Sequence, residues 1–304
     1  MRSRAGFFWH SLWLTLLLLL PLIAVVAFLA RQRQAQQELR QAAASQSQLQ
    51  IEPGAQSVWR MLLVVQQEEP AFVLVRADGP AHSVTFCALP GQLLVNAPAG
   101  TTTLAACTLS AGAGRAAQLL TATLATGETA LPPLYYLAAT PSCWVDCVGS
   151  GTAVRFDTSS LLQPAARLAL GYGSEAVQSV SATDTVEFIA ALQSQLTGSA
   201  AGNARAAVWA AFARQNPDLL TAVPEAWRRY SARTLTDLTA QDLLRAGETA
   251  AFLQSQPALT VDYLTAAVTD APDGVELSED GLQIVERLLQ YKMPGPYGSG
   301  TFLL

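Results

Sequence analysis

An uncharged apolar run from Leu12 to Ala30, LWLTLLLLLPLIAVVAFLA, constrains this chain more than any other stretch of it. Arg2 and Arg4 precede the run, and Arg31 and Arg33 follow it. About 18–20 consecutive apolar residues are enough to cross a bilayer as a helix, which satisfies its own backbone hydrogen bonds where lipid offers none. Pro21 is tolerable inside such a span, and Trp9 and Trp13 sit where indoles favour the headgroup region. A cleaved signal peptide is the competing reading, but it needs a shorter core with a small-x-small site close behind. Cleavage after Ala30 would place Phe28 where a small residue is required, and Ala42-Ala43-Ala44 lies too far downstream. The run is read as an uncleaved transmembrane helix over 11–31. Residues 1–10 are expected in the cytoplasm and the bulk of the chain outside, as in a single-pass type II protein of the cell membrane.

Residues 32–57 are dominated by Gln, Ala and Ser and cannot bury a core, so they read as a stalk or linker. Residues 58–291 read as a folded extracytoplasmic domain and 292–304 as a flexible tail. With 51% hydrophobic and 13% charged residues the chain can bury a core, which excludes global disorder. The first forty residues hold five Arg and one Glu, leaving 13 cations against 22 carboxylates in the remainder. So acidic a domain is a poor match for phosphate backbones, and no nucleic-acid partner is expected.

Four cysteines, Cys87, Cys107, Cys143 and Cys147, permit disulfides outside the cell. Cys143 and Cys147 are the expected pair if one forms; free buried thiols are the alternative. Their spacing fits neither a CxxC redox motif nor a zinc site, and His10 and His82 lie far away in sequence.

The elements alternate in type. Arg60–Val65, Ala71–Val75, Ser83–Leu89 and Gln92–Asn96 are short β-forming runs bounded by Pro, Gly and Asp, and they predict a small meander. Gly114–Thr126 has helical spacing; Leu134–Ala139 and Ala153–Phe156 read as strands. Helical periodicity then covers Thr183–Leu196, Ala204–Gln215, Asp218–Tyr230, Ala240–Leu253 and Glu279–Gln290, interrupted by a strand at Leu259–Leu264. Ser181…Asp184 and Thr239…Asp242 have capping-box spacing, and Pro217 and Pro224 are expected at helix starts. The pattern predicts an α/β (α+β) fold, a central mixed sheet flanked by helices.

This order of elements, with SVTFCALPGQLLVNAP at 83–98, AGAGRAAQLLTATL at 111–124, LYYLAA with the following WVDCVGSGTAVRFD, and ARTLTDLTAQDLL at 232–244, resembles the extracytoplasmic domain of the LytR-CpsA-Psr family. The resemblance covers about residues 60–289. It implies a membrane-anchored protein that moves glycopolymers from a polyprenyl-pyrophosphate carrier onto the cell wall. It also implies a divalent cation on carboxylates, arginines clamping the pyrophosphate, and an apolar lipid pocket between sheet and helices. The chain departs from that pattern where chemistry is expected. Pro90-Gly91-Gln92 stands where the family has Pro-Arg-Asp. Glu68, Glu69 and Pro70 stand near the family's Arg and Asp before the second strand, and Gln66 near a carboxylate. No arginine cluster lies between Gly171 and Glu187.

The expected function is therefore an enzymatically silent relative, with no catalytic residue and no cofactor or metal, that binds a polyprenyl-linked lipid or a cell-wall assembly partner. The alternatives are a working transferase using Mg²⁺ and displaced arginines among Arg76, Arg115, Arg155 and Arg167, and an unrelated envelope scaffold. Arg115, which opens a helix after a Gly-rich turn, and Arg155 are candidate phosphate ligands, each with a solvated or strand-paired role as the plainer reading. Asp146 is a candidate site acid or turn residue. Ser142 has no base near it in sequence and is not a credible nucleophile.

Overall fold

The structure is a computed structural model that describes residues 52–98, 100–125, 134–159, 162–195 and 199–289. The expected anchor and tail, and nearly all of the stalk, lie outside the described residues. Among the described residues no helix is long and apolar enough to cross a membrane. The elements below belong to one of two compact units of the chain, the one that begins at Pro53.

Strands β1 (Val58–Val65), β2 (Ala71–Asp78) and β3 (Ser83–Leu89) form the expected antiparallel meander, with Leu63 opposite Val73 and Val73 opposite Ala88. A short ribbon of β4 (Leu94–Ala97) and β5 (Gly100–Thr103) leads into α1 (Leu104–Ala111), whose first turn is capped by the Thr103 hydroxyl accepting from Ala106 N. Gly112, at φ 86°, separates α1 from α2 (Ala113–Leu124), a turn that a side chain would strain. β6 (Tyr135–Ala139) then adds parallel to β1. Pro141 opens α3 (Pro141–Val148), where its missing N–H is not needed.

The hairpin of β7 (Ala153–Asp157) and β8 (Val177–Ser181) brackets α4 (Pro164–Ala169). Helices α5 (Asp184–Gln195), α6 (Ser199–Gln215) and α7 (Leu219–Arg229) follow. Beyond them come β9 (Thr234–Thr236), α8 (Ala240–Ser255) and β10 (Thr260–Thr265). A hairpin of β11 (Val268–Ala271) and β12 (Gly274–Leu277) precedes α9 (Glu279–Leu289).

The main sheet is six-stranded and mixed, in the order β10-β3-β2-β1-β6-β9. Its inner strands are apolar on both faces, as a sheet covered on both sides requires. Leu62, Val64, Phe72, Leu74, Cys87 and Leu89 point to one face, against α1, α2 and α9. Leu63, Val73, Val75, Val84, Phe86 and Leu137 point to the other, against α3, α6, α7 and α8. The hairpin β7–β8 and α5 pack as a third cluster on the far side of α6, through Val154, Val180, Phe188, Ala204 and Val208.

Both expected capping boxes form. Thr239 and Asp242 exchange side-chain and backbone bonds, as do Ser181 and Asp184. Pro224 is a correction: it lies inside α7 and not at a helix start. Residues 141–148, to which the sequence pattern assigns no element, form α3; β8, β9 and the β11–β12 hairpin are also additions, being short or half-exposed elements with little apolar periodicity.

Two helical glycines make opposite predictions. Glycine in a helix interior normally gives up about 1 kcal/mol relative to alanine. Nothing lies near a Cβ added at Gly247 in α8, so Gly247→Ala should stabilise by about 0.5–1 kcal/mol. A Cβ at Gly281 in α9 would fall inside contact distance of the Ala267 carbonyl, so Gly281→Ala should destabilise by about 2 kcal/mol or more. Urea denaturation of both variants checks the sign.

Candidate functional site

The face of the sheet that carries Leu63 and Val75 is incompletely filled. Between it and the helices runs an apolar slot of about 310 Å³. The floor is Trp59, Met61, Leu63 and Val65 of β1 with Val75, Val84 and Phe86 of its neighbours. Those four β1 residues, alternating in register, mark about 20 Å of strand. The walls come from α3 (Trp144, Val145, Val148), α5 (Val186, Ile189), α6 (Trp209, Phe212, Ala213), α7 (Leu220, Val223, Trp227) and α8 (Ala246, Ala250, Leu253).

Aromatic contacts brace the slot. Trp144 packs against Trp209 and Trp227, with ring centroids 5.3 and 6.0 Å away. At the other end Trp59 Nε1 donates to Thr249 Oγ1 at 2.9 Å and ties the floor to α8.

Among the described residues Arg205 is the one charged side chain lining the slot. It projects from the first half of α6, only 6% exposed, with no hydrogen-bond or ion-pair partner among the described residues. Burial without a counter-charge pushes its guanidinium down to about 10. The sequence reading misses it, because an arginine on an amphipathic helix is solvated by default. A signal was available, since no Asp or Glu occurs between Glu187 and Asp218, so Arg205 has no local partner to find.

The residues singled out from sequence are not brought together. Arg115 lies on α2, across the sheet from the slot; it donates to Gln118 Oε1 and borders a shallow groove with Tyr136 and Asp237. Arg155 is exposed on β7, where its backbone exchanges hydrogen bonds with the Gln215 amide. Arg76 pairs with Asp78 and the last carbonyls of α9, and Arg167 holds the carbonyls of Gly173 and Glu175. None of these four lines the slot. Asp146 is a further correction: it sits within α3 and pairs with Arg233.

Cys143 and Cys147 are free thiols. They lie one turn apart on α3, where Cβ atoms are about 5–6 Å apart and a disulfide needs about 4 Å. Burial, together with the Cys143 thiol beside it, pushes Cys147 up to about 12, so it stays protonated.

Pro90-Gly91-Gln92 forms a structural turn: Leu93 N donates to the Pro90 carbonyl, Ala105 N to that of Gly91 and Val275 N to that of Gln92. Glu68 and Glu69 are exposed in the turn after β1. Among the described residues no three His, Cys, Asp or Glu side chains are grouped so as to hold a metal ion.

No family model matches the sequence, and no curated protein matches it either. Solved structures do. B. subtilis TagT superposes with a TM-score of 0.53 at 15% identity, over 79% of this chain and 92% of that one. A LytR-CPS2A-psr family protein, YwtF (TagT), with bound octaprenyl pyrophosphate lipid gives 0.54 at 16% identity, over 79% and 92%. The Lin1025 protein from Listeria innocua gives 0.52 at 13%, over 78% and 100%. The fold is that of the LytR-CpsA-Psr proteins. At these identities the likeness establishes architecture. Within this LytR-CpsA-Psr fold the slot, Arg205 and the tryptophans are read from the chain's own geometry.

An unpaired cation in an apolar wall destabilises the protein unless something binds it. Arg205→Met keeps the stem and removes the charge, and it should raise the stability of the ligand-free chain by about 1–3 kcal/mol in chemical denaturation. A loss of stability would show that the guanidinium has a structural partner.

Proposed function

We propose that this chain is a membrane-anchored, extracytoplasmic domain of the LytR-CpsA-Psr fold that binds the chain of a polyprenyl-linked lipid in the slot and does not itself transfer a glycopolymer. The slot between sheet and helices carries this reading. It is long, almost wholly apolar and open enough to admit a chain, the features of a site for an extended hydrocarbon. A structure of the same fold with bound octaprenyl pyrophosphate lipid supports the choice of an isoprenoid.

Catalytic silence is supported by what stands at the positions where the resemblance expects cations and carboxylates. Pro90-Gly91-Gln92 is engaged as a turn, and Glu68 and Glu69 would repel a pyrophosphate. The apolar run 11–31 supports the anchor, which would hold the slot beside a bilayer that stores such lipids.

The test uses the full-length chain in non-ionic detergent. Farnesol titration should saturate and change the emission of the slot tryptophans. Ala213→Trp, which puts an indole into the slot, should weaken this binding at least tenfold while circular dichroism stays that of the parent. Absence of saturable binding to the parent would refute the lipid reading. Mg²⁺-dependent transfer from a polyprenyl-pyrophosphate-linked glycan to peptidoglycan would refute the silent one.

A further inference from the structure

The slot wall carries few polar groups. The Gln67 amide donates to the Glu69 carbonyl, and the Thr185 hydroxyl to that of Ala182. The Arg205 guanidinium has no hydrogen-bond or ion-pair partner among the described residues, and the buried indole N–H groups of Trp144 and Trp227 have none. Among the described residues no carboxylate lines the slot. Buried charges in folded proteins are paired, and this one is not paired from within the described chain. The missing partner is an acceptor with negative charge.

The position of Arg205 limits how much charge that partner carries. A Cβ on Gly202, three residues before Arg205, would lie 3.3 Å from the Ala88 Cβ. Ala88 is paired through Val73 to Leu63, near the end of the sheet where β1 turns into β2. Arg205 thus follows, by about one turn of α6, a residue packed against that end of β3. One guanidinium neutralises one charge. A second would face the apolar walls, which disfavour it.

We infer that the slot takes an amphiphile with a single acidic group, a carboxylate or a phosphate held as its monoanion, placed on Arg205 with its chain running toward Trp59 and with no divalent cation beside it. This rests on the reading of the slot as a chain-binding site and names the head group that enters it. The Trp144 and Trp227 N–H groups lie on the same wall as further donors, and Trp209, one turn on from Arg205, connects them to it through the aromatic row.

The experiment compares head groups on one chain. Full-length protein in non-ionic detergent is titrated with farnesol, farnesyl monophosphate and farnesyl diphosphate, each with Mg²⁺ or with EDTA, and tryptophan emission is read. Farnesyl monophosphate should bind at least tenfold more tightly than farnesol, equally in Mg²⁺ and EDTA, and the diphosphate no more tightly than the monophosphate. In Arg205→Met the preference for the monophosphate over farnesol should be lost; Arg205→Lys, which keeps the charge, should retain it. Palmitate against hexadecanol separates the two sources of the anion, and a preference for the acid in either pair supports the inference. Equal binding of acids and alcohols, or tightest binding by the diphosphate with Mg²⁺, overturns it while leaving the chain-binding slot intact. Failure of farnesol and hexadecanol to bind at all would remove the slot reading and this inference with it.

Discussion

A sheet apolar on both faces needs two covers, and here the two covers differ. One is built from large branched side chains: Leu104, Leu119, Leu120, Leu124, Leu288 and Leu289 fill the space above Leu62, Phe72 and Leu74. The other is built on alanines: Ala206, Ala210 and Ala213 of α6 with Ala246 and Ala250 of α8. Each methylene that a larger side chain could bury there would add about 0.8 kcal/mol. Those alanines leave that gain unused along one wall of the sheet. The space persists because the sheet is held by its own ladders and because tryptophans too large to collapse inward brace the helices apart. Packing asymmetry across one sheet is thus the physical origin of the slot.

The same asymmetry sets the electrostatics. On the filled face, Arg76 reaches Asp78 and the end of α9, so its charge is compensated within the protein. On the slot face, Arg205 is buried in an almost wholly apolar lining, and that burial lowers its pKa. A protein selected for stability alone would replace such a residue. Strain and uncompensated charge concentrate at functional sites because they are relieved there by the ligand. Arg205 and the empty slot volume are two destabilising features in one place, and a single amphiphile would relieve both.

Much of the fold was legible in the sequence. The period-2 runs at Ser83–Leu89 and Ala71–Val75, the capping boxes at Ser181 and Thr239 and the helical spacing of the second half all correspond to elements of the structure, because each is governed by local chemistry. The elements that escaped are those stabilised from outside. α3, with Pro141, Cys143, Trp144 and Cys147, has no long apolar period, and it is ordered by packing against α7 and the sheet. The site was less legible than the fold. Arg115, Arg155 and Asp146 were conspicuous through their local context, next to a glycine-rich turn or on a strand, and the structure places them on separate elements. Arg205 was inconspicuous because its significance lies in what surrounds it in space. Only its distance in sequence from any acid hinted that it would go unpaired.

The Pro90-Gly91-Gln92 turn and the slot are separable in physical terms. At Pro90-Gly91-Gln92 the backbone is fully engaged: Gly91 and Gln92 accept from Ala105 and Val275, and a Cβ at Gly91 would already crowd the Pro70 carbonyl at 3.2 Å. These backbone bonds tie the turn to α1 and to the β11–β12 hairpin. The slot does not depend on that junction. Its floor is the central strand and its walls are helices on the opposite side of the sheet from α1. The residues of the turn therefore do not set the apolar volume, and the charge facing that volume is the Arg205 guanidinium among its described lining.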